Sequence, residues 1–184
     1  MGFFAKLFGR KKSSGSSEGF TIDIREDGFV INGHRLDVPI HIDALSELLG
    51  TPRKTAFKTS DEDKEIYARM HPGETLVQRV NYTWDELGLM CYTNNRTVVN
   101  CFGIRLNKSG YNVASNPKRM FGGTVLINGK PWLPVVLAGE DKEVMREVTL
   151  GGYLITAEYT DFEQDDSTRD ENSFTGLEIQ LKEF

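Results

Sequence analysis

The sequence is poor in cysteine, and this excludes several kinds of protein. In 184 residues there are only two cysteines, Cys91 and Cys101. They are too few for a disulfide framework and lack the Cys-x-x-Cys spacing of redox and zinc sites. No secretory signal precedes them, so the thiols are expected to be reduced, as in a cytoplasm. We therefore predict a cytoplasmic protein.

Long hydrophobic runs are also lacking. The most apolar stretch near the start, Met1–Phe8, is short and is interrupted by Lys6. A segment of this length does not cross a bilayer, and it is a poor match to the apolar part of a signal peptide. The sequence therefore predicts no membrane-spanning segment.

No assembled catalytic or cofactor-binding motif is found in the sequence. Gly15–Gly19 formally matches Gly-x-Ser-x-Gly around Ser17, but it lies in a Ser/Gly-rich stretch instead of a strand-to-helix turn. The three histidines, His34, His41 and His71, lack the spacing of zinc ligands. We expect the histidines to have structural or surface positions, and we expect no catalytic residue, metal or cofactor. A small enzyme of unrecognised type remains an alternative.

Two adjacent acids, Asp85 and Glu86, follow Trp84 and raise the question of a catalytic carboxylate pair. Neighbouring residues on a strand point to opposite faces, so the two side chains are not expected to converge. We interpret Asp85–Gly88 as a turn in which Asp85 has a capping role.

Positive charge is scarce in the C-terminal part of the chain. The formal net charge is −5, but residues 1–12 carry four bases and no acid, whereas residues 140–184 hold thirteen acids against four bases. An acidic total argues against general nucleic-acid binding, which needs a Lys/Arg surface. The acidic end is compatible with a basic protein partner, or with a face that is merely solvated.

A repeated turn signal is the strongest structural feature that the sequence contains. Asn-Gly separates apolar residues in Phe29–Leu36 and again in Val125–Trp132. Asn and Gly tolerate the positive φ that a two-residue hairpin turn requires. The two copies predict two β-hairpins, and we interpret them as a degenerate internal duplication of a hairpin/helix unit.

Residue periodicity predicts the remaining elements. Strands are expected where apolar and polar residues alternate, over Phe20–Ile24, Val80–Trp84, Leu89–Thr93, Thr97–Leu106, Tyr153–Tyr159 and Leu177–Leu181. Helical spacing predicts a helix capped by Asp43 and ended by Gly50, a helical turn over Glu65–Met70, and a helix over Glu140–Val148 with Val144, Met145 and Val148 inward. Grouped strands with few short helices indicate an α+β fold with antiparallel sheet.

The composition divides the chain into a tail and a domain. Residues 1–19 are expected to form a flexible apolar-basic tail and Ser/Gly linker, and residues 20–184 a single α+β domain with possible halves 20–110 and 120–184. As a helix, the tail has an apolar face and a basic cluster typical of an interfacial anchor. One alternative function is therefore a peripheral inner-membrane adaptor, with membrane contacts at Phe3, Phe4, Leu7, Phe8, Arg10, Lys11 and Lys12.

The cysteines flank the predicted turn at Asn94–Arg96, which would place them opposite one another on neighbouring strands. We predict that Cys91 and Cys101 are buried free thiols that pack as small apolar residues. A cross-strand disulfide or redox pair is the alternative.

The acidic segment between the last two predicted strands is the candidate binding surface. A basic cleft on a protein partner would be attracted to its carboxylates, at Asp161, Glu163, Asp165, Asp166, Asp170 and Glu171. Nearby aromatic side chains are expected to anchor the contact, at Tyr159, Phe162 and Phe174. The sequence thus favours a non-enzymatic protein-binding module.

Three segments carry a resemblance to a known group of proteins: Leu48–Pro52, Tyr82–Leu89 and Val98–Leu106. Over roughly residues 29–106 the chain resembles small bacterial cytosolic α+β proteins. Several of those look like immunity partners encoded beside secreted antibacterial toxins. The resemblance implies an immunity protein that neutralises a toxin by occluding its active site, and it transfers no contact residues to this chain.

Overall fold

The computed structural model describes residues 17, 19–56, 59–74, 76, 79–94, 96–107 and 115–181. The strands within these residues are β1 Thr21–Arg25, β2 Gly28–Ile31, β3 His34–Asp37, β4 Arg53–Ala56, β5 Val80–Trp84, β6 Leu89–Thr93, β7 Cys101–Arg105, β8 Thr124–Ile127, β9 Lys130–Pro131, β10 Glu140–Lys142, β11 Met145–Leu150, β12 Tyr153–Tyr159 and β13 Phe174–Leu181. The helices are α1 Ile42–Leu49, α2 Asp61–Met70 and α3 Trp132–Leu137, with 3₁₀ turns at Asp166–Thr168 and Glu171–Ser173.

The strands form two sheets. One has five strands in the order β3-β2-β1-β8-β9, and the other has eight in the order β10-β11-β12-β13-β7-β6-β5-β4. Every described neighbouring pair of strands is antiparallel except β1 with β8. The predicted α+β class with antiparallel sheet and few short helices is confirmed. Both sheets take strands from before residue 110 and from after residue 120.

Both Asn-Gly hairpins form, and they belong to the same sheet. Asn32 and Gly33 have φ of 50° and 81°, and Asn128 and Gly129 have φ of 50° and 74°, the positive values that the turn requires. The hairpins lie on either side of β1, which is antiparallel to β2 but parallel to β8. Because the two hairpins meet β1 in different orientations, the structure does not confirm an internal duplication.

The main core lies between the two sheets. Phe29 on β2 contacts Phe102 on β7 and Tyr153 on β12, with ring centroids 5.2 and 5.9 Å apart. Trp132 at the start of α3 packs edge-on against Phe174, 5.5 Å between centroids. Burial of such large side chains contributes about 25 cal/mol per Å² of apolar surface removed from water, so these contacts hold the two sheets together.

The predicted helix over Glu140–Val148 is wrong. Residues 140–142 and 145–150 form β10 and β11, joined by a turn in which Glu143 has φ 28°. Arg146, Val148 and Leu150 share the core side of β11, a period of two, and Val144 is 44% exposed. The helix that follows the second hairpin is instead α3, which begins directly after β9.

The boundaries of the other helices also differ from the prediction. Helix α1 begins at Ile42 after His41, and His41 forms no side-chain capping bond, so Asp43 lies in the first turn and is not the N-cap. The stop at Gly50 is confirmed by its φ of 88°. Helix α2 is longer than the predicted turn because the Ser60 hydroxyl accepts a hydrogen bond from the Asp63 amide at 3.0 Å and caps it.

The two cysteines are free and buried, as predicted, but they are not opposite one another. Cys91 pairs with Phe102, and Cys101 pairs with Tyr92. Their side chains therefore point to opposite faces of the sheet, which is incompatible with a cross-strand disulfide. Burial raises the pKa of both thiols, that of Cys101 to about 12, so both are neutral at physiological pH.

Candidate functional site

The acidic segment between β12 and β13, Asp161–Ser173, forms a folded lobe, here called the acidic lobe. Its two 3₁₀ turns begin at aspartate caps: the Asp165 carboxylate accepts from the Ser167 amide at 2.8 Å, and that of Asp170 accepts from the Asn172 amide at 2.9 Å. Hydrogen bonds from the Ser167 and Asn172 side chains, together with these amide bonds, lower the pKa of both carboxyls. Two of the acidic side chains therefore stabilise the turns of the lobe itself.

A buried arginine holds the acidic lobe against the domain. The Arg169 side chain is only 3% exposed. Its guanidinium donates to the carbonyls of Asp161 at 2.9 Å, Phe162 at 3.4 Å and Gln164 at 2.6 Å, and it lies 3.7 Å from the centre of the Tyr159 ring. One cation thus satisfies three backbone carbonyls of the lobe while stacking on a core aromatic residue.

A second buried arginine, Arg146 on β11, joins the same network from the sheet. It donates to the Tyr159 hydroxyl at 2.6 Å and to the Asp166 carboxylate, which also accepts from Arg169 at 2.9 Å. Burial opposes ionisation of Asp166, but the hydrogen bonds from the two arginines outweigh it and keep the pKa of Asp166 below its ordinary value. Asp166 is therefore the counterion of two buried arginines, although half of its side chain is exposed.

Two of the predicted aromatic anchors belong to the core. Tyr159 is 7% exposed and Phe174 is fully buried, with their ring centroids 5.4 Å apart. Tyr159 continues the inward-facing side of β12, and the register shift beside it turns Phe174 inward at the start of β13. Because both side chains are buried in the core, they are not available as surface anchors, which corrects the prediction for these two residues.

The third predicted aromatic anchor, Phe162, is on the surface. It is 61% exposed, more than most large apolar side chains that the structure describes. The carboxylate-bearing residues around it in the lobe are exposed as well, at Asp161, Glu163, Asp165, Asp166, Asp170 and Glu171. The acidic lobe therefore presents one apolar side chain in a negatively charged surrounding.

A family model matches residues 21–141, about two thirds of the chain. The chain belongs to the DUF7738 family. That family is described as a domain of unknown function. No curated protein and no solved structure matches the chain.

The DUF7738 match ends inside β10, before the acidic lobe. It includes all of the five-stranded sheet and β4 to β7 of the larger sheet, whereas Arg146, Asp166 and Arg169 follow it in the chain. The match supplies no functional residue.

Sequence reasoning missed Arg146 and Arg169, the two residues that organise the lobe. One signal was available for Arg169, because it is the single base among the six acids of Asp161–Ser173. A lone arginine in such a segment favours an internal counterion. No comparable signal marks Arg146, whose partners come from α3, β10 and the lobe only in the folded chain.

The other predicted residues do not form a second site in the described part of the chain. Asp85 and Glu86 diverge as expected: Arg53 binds both Asp85 oxygens at 2.8 and 2.9 Å, whereas Arg119 binds Glu86 at 2.8 Å. The three histidines are exposed. Ser17 is buried, and its hydroxyl accepts from the Gly122 amide at 2.6 Å, a structural contact. No metal-binding group of His, Cys, Asp or Glu occurs among the described residues.

The predicted membrane contacts, Phe3 to Lys12, lie outside the described residues, and they stay a prediction. Among the helices of the described ranges, none has the length and apolar character needed to cross a bilayer.

Proposed function

We propose that this chain is a protein-binding module that docks its acidic lobe onto a basic surface of another protein. In its most specific form, the proposal is that the chain is an immunity protein that occludes the basic active-site cleft of a bacterial toxin. The observation that carries it is the buried Arg169, which fixes the backbone on both sides of Phe162. An exposed aromatic residue is thereby held in one position among carboxylates.

The physical argument rests on preorganisation. Binding is weakened by the entropy lost when loops and side chains become ordered, and a loop already held in place avoids much of that loss. A few aromatic residues usually dominate an interface when they enter a pocket on the partner. The surrounding carboxylates steer a basic partner toward the lobe and exclude acidic ones. The lobe combines all three properties.

The experiment uses the protein encoded beside the gene for this chain. The two are co-expressed, protection of the cells is scored, and affinity is measured with purified proteins. We expect Phe162→Ala to weaken the complex by roughly 30-fold, the effect of losing about 2 kcal/mol at a central aromatic contact. Met70→Ala removes an even more exposed side chain on α2, 71% exposed, and should leave affinity within twofold.

Charge variants separate steering from anchoring. Glu163→Gln with Glu171→Gln should slow association mainly at low salt, because exposed interface charges act chiefly on the association rate. Glu62→Gln on α2 is the matched control and should have no such effect. Failure of the adjacent gene product to bind or be neutralised contradicts the toxin partner. Unchanged affinity of Phe162→Ala contradicts the lobe as the contact.

A further inference from the structure

A groove opens on the outer face of the eight-stranded sheet, the face turned away from the five-stranded sheet. It is a cavity of about 390 Å³ that spans strands β6, β7, β13, β12 and β11. Its walls include Met90, Arg105, Met145, Glu158 and Glu178. We call it the sheet-face groove, and none of its residues belongs to the acidic lobe.

The strand register brings two carboxylates together in this groove. Glu158 on β12 is opposite Gly176 on β13, and Glu178 lies two residues further along β13, opposite Thr156. The two glutamates are therefore diagonal neighbours on one face, with a backbone separation of about 7–8 Å. Both are exposed.

A β-bulge positions the first of these carboxylates. The register shifts between Glu158 and Tyr159, which leaves Thr175 as an extra residue on β13. The Thr175 hydroxyl donates to the Glu158 carboxylate at 3.2 Å. The bulge thus restrains the side chain of Glu158 at the groove.

Glycine and methionine shape the space between the charges. A Cβ at Gly176 would lie 2.5 Å from the Ile104 carbonyl oxygen, so the close approach of β7 requires glycine there. Gly176 pairs with Glu158 on β12 and with Arg105 on β7. Because Gly176 has no side chain, there is room between these two residues. Gly103 pairs with Met90 on one side and with Glu178 on the other. The Met90 side chain lies over Gly103, because its Cγ would be 2.9 Å from a Cβ at that position.

Arg105 builds one wall of the groove. Its guanidinium donates to the Pro117 carbonyl at 2.6 Å and to the Asn107 carbonyl at 3.1 Å. These bonds fix residues 107 and 117, which both line the cavity. Its guanidinium thus lines the groove while it is hydrogen-bonded to two backbone oxygens.

We infer that the sheet-face groove binds a lysine or arginine side chain of a protein partner. The two methionines offer apolar walls to an aliphatic stem, and the two carboxylates offer charge-assisted hydrogen bonds to the cationic head. The groove adjoins the acidic lobe, because the Asn107 amide donates to the Asn172 carbonyl at 2.8 Å. This inference rests on the proposed function, because the cationic side chain would come from the same basic partner that covers the lobe.

The groove is tested first without any partner. Acetyl-arginine methylamide is titrated into the ¹⁵N-labelled protein, and the neutral acetyl-glutamine methylamide serves as the control compound. We expect the amide signals of Gly103 and Gly176 to shift with the arginine compound and not with the glutamine compound. Equal shifts with both compounds, or shifts confined to the acidic lobe, would overturn the inference.

Matched variants then assign the charges. Glu158→Gln combined with Glu178→Gln should weaken binding of the arginine compound at least tenfold, since both charge-assisted bonds are lost. Glu147→Gln removes a carboxylate from the same sheet face outside the groove and should leave binding within twofold. Thermal unfolding checks that each variant is folded. An equal effect of the double variant and the control contradicts the groove.

The two proposals fail in different ways. If Phe162→Ala weakens the partner complex while the arginine compound leaves Gly103 and Gly176 unshifted, the groove inference is wrong and the lobe proposal stands. If the groove binds the arginine compound but the partner protein is neither bound nor neutralised, the proposed function is wrong and the groove remains a site for cationic side chains.

Discussion

The acidic lobe and helix α2 are both short, strongly charged segments, yet they are attached to the domain in different ways. The lobe is held by Arg169, whose side chain is 3% exposed and donates to three carbonyls. Helix α2 buries none of its residues, and its ion pair, Lys64 with Asp61 at 2.6 Å, is on the surface. We therefore expect a charged segment to unfold together with the domain when a buried cation donates hydrogen bonds to its backbone carbonyls, whatever the net charge of the segment.

The largest effect should come from removing the buried cation. Arg169→Met keeps an unbranched side chain but leaves the carbonyls of Asp161, Phe162 and Gln164 without their donor. We expect a loss of about 3–5 kcal/mol in the free energy of unfolding, typical of a broken buried network. Urea denaturation followed by fluorescence measures it.

Arg69→Met on α2 is the matched control. Arg69 is exposed, and among the described residues its side chain donates to the Glu65 carbonyl at 3.4 Å. Its replacement should change the free energy of unfolding by less than about 0.5 kcal/mol. Similar losses for the two variants would mean that the lobe and the helix are equally attached, and the comparison would fail.

A smaller, pH-dependent effect distinguishes the aspartates of the two segments. The pKa of Asp166 and that of Asp61 both lie below the ordinary value. For Asp166, although burial opposes them, the hydrogen bonds from Arg169 and Arg146 lower the pKa. For Asp61, the hydrogen bond from Lys64 lowers the pKa. A lowered folded-state pKa stabilises the protein above the unfolded-state pKa, about 3.9, and this stabilisation is lost as the pH falls through the folded value.

Asp166→Asn should therefore be destabilised relative to the natural sequence at pH 7, and the difference should shrink below about pH 4. Asp61→Asn should differ little at either pH, because its carboxylate is 94% exposed and its ion pair is screened by solvent. Urea midpoints measured from pH 7 to pH 3 give both curves. A difference for Asp166→Asn that does not change with pH would show that its ionisation contributes nothing.

Local signals predicted most of the fold. The Asn-Gly turns at residues 32–33 and 128–129 depend on φ at two residues, and the alternation of the closing strands depends on burial of one face. The turns and the alternation both depend on residues close together in the chain, so both can be predicted from the sequence. The helix expected over Glu140–Val148 is wrong because pairing with β12, a long-range contact, outweighs the local helical spacing of Val144, Met145 and Val148. The parallel pairing of β1 with β8 has no local signal at all.

The site was less predictable because it depends on long-range contacts. The sequence indicates where the carboxylates are, but not that Asp166 is the counterion of two buried arginines. Tyr159 lies in the apolar alternation of β12, a pattern that predicts burial, whereas Phe174 is out of step with Leu177 and Ile179 and faces inward because of the register shift beside it. The sheet-face groove results from the registers of five strands, so no single segment contains it.

The smallest effect concerns the caps of the two segments, and it tests the comparison most directly. Ser60→Ala removes the cap of α2 and should cost the isolated helix about 1 kcal/mol. Because α2 buries no residue, the helix can fray while the domain stays folded. The Cα chemical shifts of residues 61–70 should then move toward coil values, with the urea midpoint unchanged.

Asp170→Ala, which removes a cap within the acidic lobe, should lower the urea midpoint, because we expect the lobe to unfold together with the core. A lowered midpoint for Ser60→Ala would place α2 in the same cooperative unit.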